Sequence, residues 1–136
     1  MTFGREGVEQ ARVHDLHAAG SMLDLLKSHG CDEIDTARIY GGGSSEEYLG
    51  QLGWAERGFV MGTKFFPTAE IAGTGWPVGE SFTHSPKHLR ENLLRSLKAL
   101  KSEKIDLWYL HGPDRSTPYE ETLREVNSLQ DRKTHV

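Results

Sequence analysis

The chain has 136 residues, with 16 Lys and Arg against 20 Asp and Glu, and a formal net charge of −4. This length fits one domain, and a content of 36% hydrophobic and 26% charged residues is typical of a globular protein rather than a disordered or fibrous one. A net negative charge argues against a nucleic-acid-binding protein, and no apolar run approaches the ~20 residues of a membrane span. The single cysteine, Cys31, excludes an internal disulfide, and the first six residues lack the apolar core of a secretory signal. We therefore expect a soluble, cytoplasmic protein that binds neither nucleic acid nor membrane.

Helical and strand patterns alternate in the first half of the chain. Ser21 with Asp24 resembles a capping box and Gly30 suits a left-handed helix end, so a first helix is predicted between Ser21 and Gly30. The apolar face of this helix is predicted to carry Met22, Leu25, Leu26 and His29. A strand is predicted over 33–37. A loop is predicted over 41–43, because three successive glycines lose too much backbone entropy to lie inside an element.

The same alternation continues in the second half. A capping box over 44–47 predicts a second helix, and the apolar run 59–63 predicts a buried strand. Ser85 followed by Pro86 predicts the start of a third helix, whose stripe at helical spacing is Leu89, Leu93, Leu97 and Leu100. A third strand, apolar at nearly every position, is predicted over 105–110.

Three strands and four helices in this order predict a parallel α/β architecture. The fourth helix is predicted to follow Thr117 and Pro118, and the polar residues 130–136 are predicted to form a tail. Residues 2–4 are consistent with the remainder of one more strand. In parallel α/β folds, chemistry lies at the carboxyl ends of the strands, so we expect a site at that edge of the sheet.

Ionisable residues follow the end of each predicted strand. Asp35 ends the first strand and Tyr40 lies five residues further along, Lys64 ends the second strand and His111 ends the third. Taken singly, each has an ordinary alternative: Asp35 as a structural hydrogen-bond acceptor, Tyr40 or Lys64 as a solvated loop side chain, and His111 as a turn-stabilising residue. Their joint placement on one face favours a shared site.

Other candidate sites are weaker. The loop 41–46 is not a dinucleotide fingerprint, because Glu46 occupies the position of the third glycine. His84 and His88 are four residues apart, but the predicted helix starts between them, so we predict no metal site. The tryptophans favour packing over a cofactor-binding role, and they are Trp54, Trp76 and Trp108.

Three ordered segments resemble the aldo-keto reductase family, and they are Asp35-Thr36-Ala37-Arg38-Ile39-Tyr40-Gly41, Gly62-Thr63-Lys64 and Tyr109-Leu110-His111. The stretch 35–50 is similar to the aflatoxin-aldehyde reductase branch, as are 1–4 and 111–122. The resemblance implies a partial (β/α)₈ TIM barrel, comprising about the first four strand–helix units. On this basis residues 1–129 form the N-terminal part of an NADP-dependent oxidoreductase domain.

The resemblance also implies the activity, which is reduction of aldehydes and ketones to alcohols with NADPH. By position, Asp35, Tyr40, Lys64 and His111 match the family's catalytic tetrad. Tyr40 is then the general acid, since hydride arriving at a carbonyl carbon leaves negative charge on the oxygen. A nearby ammonium favours a phenolate, and Lys64 supplies that charge with Asp35 as its ion-pair partner. His111 orients the substrate oxygen or helps to pass the proton to Tyr40, and Met1 and Asp35 match positions near the cofactor.

A complete barrel of this type takes ~250 residues, so this chain is short for the implied fold. The family's segments that stack on nicotinamide and grip the 2′-phosphate are not visible in the sequence. We therefore expect the chain alone to bind NADPH poorly and to reduce aldehydes negligibly. The alternative is an inactive fragment that acts as a pseudoenzyme or a regulatory partner, pairing with itself or with a full-length relative. A related branch, the potassium-channel β-subunits, uses the fold in binding a partner.

Overall fold

A computed structural model of the chain describes residues 2–71 and 79–131. The helices are α1 (Leu16–Ser28), α2 (Ser44–Gln51), α3 (Pro86–Leu100) and α4 (Tyr119–Asp131), with 3₁₀ turns at Tyr40–Gly43 and Thr68–Ile71. The strands are β1 (Glu33–Asp35), β2 (Val60–Phe65) and β3 (Leu107–Leu110). They form one parallel sheet in the order β1-β2-β3, which confirms the predicted parallel α/β architecture.

Some of the sequence predictions concern residues outside these ranges or receive a different structure within them. Met1, Trp76 and 132–136 lie outside the described residues. Phe3 forms one isolated parallel bridge with Val13, so residues 2–4 do not make the further strand that the sequence suggested. No helix in the described ranges is long and apolar enough to cross a membrane.

The two faces of the sheet differ in what covers them. Met61, Thr63 and Phe65 of β2 are buried, and Met61 belongs to a core that also holds Phe3, Ala19, Leu23, Leu49, Trp54, Phe59 and Leu100. Register pairs Asp35 with Gly62 and Lys64 with Tyr109. Because neighbouring partners in a sheet point to the same side, Asp35, Lys64 and Tyr109 share the opposite face, which we call the open face.

The start of α1 was predicted wrongly. Asp15 caps the helix by accepting a hydrogen bond from the Ala18 N–H at 2.7 Å. Ser21 therefore lies inside the helix, where its hydroxyl donates to the His17 carbonyl at 3.1 Å. The buried face is correspondingly Ala19, Gly20 and Leu23, while Leu25 and Leu26 are exposed. The left-handed end was predicted correctly, since Gly30 has φ +78°.

The capping box predicted for α2 is also wrong. The N-cap is Gly43, at φ +93°, and it provides no side-chain cap. The Ser44 hydroxyl donates instead to the Gly41 carbonyl at 2.6 Å, and Glu46 is buried beneath the loop that precedes the helix. Gly41 and Gly42 are left-handed too, within a short 3₁₀ turn rather than an open loop.

The later elements lie where the sequence predicted them, but some of their ends differ from the prediction. The third helix begins at Pro86 as predicted, and Leu89, Leu97 and Leu100 of its stripe are buried. Strand β2 runs to Phe65, so Lys64 lies within the strand rather than after it. Helix α4 includes residues 130–131 of the predicted tail.

Thr117 lies two residues before Tyr119, the first residue of α4. Its hydroxyl donates to Asp114 Oδ2 at 2.7 Å, a contact within the loop that leads into the helix. Leu123 of α4 is apolar, but 62% of its surface is exposed. The buried positions on this helix are instead Thr122 and Glu125.

Candidate active site

Lys64 and Asp35 form the contact that the sequence predicted. Lys64 Nζ lies 2.6 Å from Asp35 Oδ1, and it also donates a hydrogen bond to the Thr36 carbonyl at 2.9 Å. The Lys64 side chain is 15% exposed and that of Asp35 is 68% exposed. Two oxygens from the end of β1 therefore fix an ammonium group that is largely withdrawn from water.

Tyr40 and His111 join this pair. The Tyr40 ring centroid is 5.3 Å from Lys64 Nζ, and it meets the His111 ring edge-on at 5.6 Å between centroids. Phe66 packs against His111 in a second edge-on contact at 5.7 Å. All four predicted site residues thus converge at the carboxyl end of the sheet.

His111 is partly buried and its surroundings favour the neutral imidazole. Burial lowers the pKa of His111 below 6.5, the positive charge of Lys64 lowers it further, and Asp35 acts in the opposite direction. Within residues 2–71 and 79–131, its buried Nδ1 has no hydrogen-bond partner. A neutral ring beside Tyr40 can donate or accept a hydrogen bond at a carbonyl oxygen.

Backbone hydrogen bonds lay the loop after β1 along the end of β2. The Thr36 N–H donates to the Gly62 carbonyl at 2.9 Å, and the Arg38 N–H donates to the Lys64 carbonyl at 3.0 Å. This pairing continues the β1–β2 ladder past the end of β1, and it carries Tyr40 to the side of Lys64. The position of Tyr40 therefore depends on the loop as much as on the strands.

Sequence reasoning missed the residues that hold this loop from below. Glu46 is fully buried, and it accepts a hydrogen bond from the Thr63 hydroxyl at 2.6 Å. Its second carboxylate oxygen lies 2.5 Å from Arg38 Nη1. A signal was present, because Glu46 lies three and four residues before Leu49 and Gly50, which places it on the buried face of α2.

The weaker candidates have structural partners. His88 Nδ1 accepts a hydrogen bond from the Thr83 N–H at 3.0 Å, so that nitrogen is engaged within the fold. Trp54 is buried with its indole N–H donating to the Leu100 carbonyl at 3.0 Å, and the Trp108 ring stacks on Phe65. These contacts favour the packing interpretation of both tryptophans.

A cavity of about 660 Å³ lies beside the site, with Phe66, Arg38 and Asn92 among its lining residues. None of the four converging residues lines it. Asp35 and Lys64 instead face the open side of the sheet, so a ligand reaches them from that side.

The comparisons with known proteins agree on one family. The family model described as "Aldo/keto reductase family" matches residues 1–132. An aldo-keto reductase of Pseudocercospora fijiensis is 52% identical over 108 residues, covering 79% of this chain and 34% of that protein. The human aflatoxin B1 aldehyde reductase member 4 is 37% identical over 123 residues, covering 90% of this chain and 35% of its own length.

Two further similarities bear on fold and function. A probable voltage-gated potassium channel subunit beta of Arabidopsis thaliana is 37% identical over 122 residues, covering 87% of this chain and 35% of that protein. The crystal structure of a thermostable aldo-keto reductase superposes with a TM-score of 0.73 at 26% identity, covering 96% of this chain and 43% of that one. The chain thus spans about a third of the length of the curated relatives it matches.

Proposed function

Because the chain belongs to the aldo/keto reductase family, we propose that it supplies the proton-donating side of a site that reduces aldehydes and ketones to alcohols with NADPH. The observation that carries this proposal is the position of Tyr40, whose ring lies beside both the Lys64 ammonium and the His111 imidazole. A phenol placed between a cation and a neutral hydrogen-bonding ring suits proton donation to a carbonyl oxygen.

Each of the four side chains has a role in this proposal. Tyr40 donates its hydroxyl proton to the substrate oxygen, and the Lys64 ammonium stabilises the phenolate that remains. Asp35 acts as a positioning residue that holds Lys64 through their 2.6 Å contact. His111, whose pKa is lowered by burial and by Lys64, orients the substrate oxygen with a neutral ring and adds no second positive charge.

The cofactor supplies hydride to the carbonyl carbon when it is bound. Of the two residues assigned to it, Met1 lies outside the described residues. Asp35 fits a hydroxyl-bearing ligand, since its side chain is 68% exposed and a carboxylate accepts hydrogen bonds at both oxygens. NADPH rather than NADH, a cytoplasmic location and a small carbonyl substrate all remain part of this proposal.

A second candidate function is a non-catalytic partner of another protein or of a second copy of the chain. Two apolar residues of β3 on the open face favour it, because Leu107 and Tyr109 are 43% and 46% exposed. Strands of parallel sheets are ordinarily covered on both faces, so such exposure leaves apolar surface for a partner. The similarity to a probable channel subunit beta points in the same direction.

An assay of NADPH consumption with a small aromatic aldehyde separates the two candidates. We expect a slow rate that does not saturate at micromolar NADPH. The Tyr40→Phe variant should lose about 10²–10⁴-fold of that rate, the usual share of general acid catalysis. Tyr119→Phe is the matched control, because Tyr119 is 64% exposed at the first position of α4. Absence of any NADPH-dependent reduction would contradict the first proposal and favour the second.

A further inference from the structure

The Glu46 carboxylate is buried directly beneath the candidate site. Its side chain has no exposed surface, although it lies on α2 only three residues after the left-handed Gly43. A buried charge is tolerated only where partners compensate for its lost hydration. Oε1 accepts a hydrogen bond from the Thr63 hydroxyl at 2.6 Å, and Oε2 lies 2.5 Å from the Arg38 guanidinium in an ion pair that is not aligned as a hydrogen bond.

The two partners belong to the two segments that carry the proposed catalytic groups. Thr63 immediately precedes Lys64 in β2 and points to the covered face of the sheet. Arg38 lies two residues before Tyr40, and its backbone N–H donates to the Lys64 carbonyl at 3.0 Å. Glu46 therefore connects the Lys64 segment to the Tyr40 loop from the covered side of the sheet, opposite to the open face.

Gly43 gives independent support for the importance of this connection. A Cβ atom at Gly43 would lie 1.6 Å from Arg38 Nη2, so only glycine leaves room for the guanidinium in its present place. The positive φ of +93° at Gly43 is likewise readily adopted only by glycine. The backbone before α2 is thus shaped to admit Arg38 to Glu46.

We propose that Glu46 is a positioning residue that holds the Tyr40 loop against the Lys64 end of β2, through a clamp made of Glu46, Thr63 and Arg38. This inference rests on the proposed function, because the geometry it fixes is that of the same site. One hydrogen bond and one ion pair to the same buried carboxylate hold the two segments at a short separation, which apolar packing alone specifies less tightly.

The test uses the 136-residue chain and NMR signals of the site itself. The first signal is the nuclear Overhauser effect between the Tyr40 and His111 rings, which lie 5.6 Å apart. The second is the titration midpoint of His111, which burial and Lys64 lower from 6.5. Neither signal requires NADPH, substrate or turnover.

Thr63→Val removes the hydroxyl at nearly constant shape, and Thr63→Ser retains it. We expect Thr63→Val to weaken the ring-to-ring signal and to raise the His111 midpoint towards 6.5, because burial and the Lys64 charge both relax. Thr63→Ser should keep both signals at their original values. Glu46→Gln, which removes the charge opposite Arg38, should act in the same direction as Thr63→Val.

Glu125→Gln is the matched control for lost stability. Glu125 is 6% exposed and forms two contacts with Arg90, at 2.5 and 2.7 Å, between α4 and α3. We expect it to lower the melting temperature while leaving both site signals unchanged. If Thr63→Val and Glu46→Gln also lower only the melting temperature, Glu46 is a structural residue and the inference is overturned.

The outcome is separable from that of the proposed function. A chain without NADPH-dependent activity, in which Thr63→Val still moves both NMR signals, contradicts the proposed function and supports the clamp. A chain with Tyr40-dependent activity, in which Thr63→Val leaves both NMR signals unchanged, supports the proposed function and contradicts the clamp.

Discussion

Lys64 is the residue at which the charges of the site meet. It contacts the Asp35 carboxylate and the Thr36 carbonyl, and its ammonium lies beside the Tyr40 ring. The same charge disfavours a proton on His111. One substitution at Lys64 therefore affects both the proposed proton donor and the residue that orients the substrate oxygen.

The titration of His111 measures this arrangement without catalysis. Burial and Lys64 lower the pKa of His111 from 6.5, whereas Asp35 raises it. Lys64→Met should therefore raise the His111 midpoint, and Asp35→Asn should lower it. Proton NMR of the His111 ring gives both values. Equal shifts in one direction for the two variants would contradict the geometry of the site.

At the scale of elements, the loop after β3 is tied to the start of α3 by one buried carboxylate. Asp114 is 1% exposed, and it accepts hydrogen bonds from the His84 N–H, from the Thr117 hydroxyl and from both the N–H and hydroxyl of Ser116. Burial alone would raise the pKa of Asp114, but these hydrogen bonds outweigh it and leave the pKa well below 3.8. The loop that carries His111 is thus anchored a few residues beyond it.

Asp114→Asn should reduce the free energy of unfolding by about 1–3 kcal/mol at pH 7, since an amide nitrogen replaces one acceptor for buried donors. The folded pKa is depressed, so the carboxylate's contribution is complete above 3.8 and is lost as the pH falls through the folded value. In urea unfolding, the difference in free energy of unfolding between the wild type and Asp114→Asn should therefore become smaller below pH 3.8.

Asp32→Asn is the control for this variant. Its carboxylate is 61% exposed in a pair with Lys27, and such surface pairs contribute only ~0–1 kcal/mol. The anchoring role would be contradicted if Asp114→Asn lost no more free energy of unfolding than Asp32→Asn, or if its loss became larger in acid.

Most helices and strands were predicted correctly from the sequence, but several of their ends were not. Hydrophobic spacing located β2 and α3, whose apolar residues are buried at regular intervals. A continuous apolar run located β3, although Leu107, Tyr109 and Leu110 are exposed. Local capping patterns misled at Ser21 and at 44–47, because Asp15 and Gly43 provide the helix starts. Capping boxes are short, so tertiary partners readily displace them.

The candidate site was likewise predictable only in part. The four converging residues were predictable, since they lie at or just after the carboxyl ends of successive parallel strands, which meet at one edge of the sheet. Glu46 was assigned to a capping box. Its partner Thr63 lies 17 residues away in the sequence, and its contact with Arg38 depends on the conformation of the folded loop. Contacts across 17 residues between a helix and a strand leave no local pattern.

In the whole molecule, the four proposed site residues lie at one end of a sheet that has one open face. The chain spans about a third of the length of its curated relatives, and its superposition covers 43% of the chain of a thermostable aldo-keto reductase. Proton donation contributes only ~10²–10⁴-fold, whereas positioning a hydride donor against a carbonyl contributes far more. We therefore expect proton transfer to be supported by this chain and cofactor positioning to limit its rate.

Transfer of label from deuterated cofactor tests the central claim most directly, because mass spectrometry detects product that forms slowly. The chain is incubated with NADPH that carries deuterium at both hydrogen positions of the nicotinamide C4 and with a small aromatic aldehyde, in parallel with Tyr40→Phe. We expect the wild-type chain to form an alcohol carrying one deuterium on its carbinol carbon, and the variant to form it only at background level. Alcohol without deuterium, or equal labelling by both proteins, would contradict it.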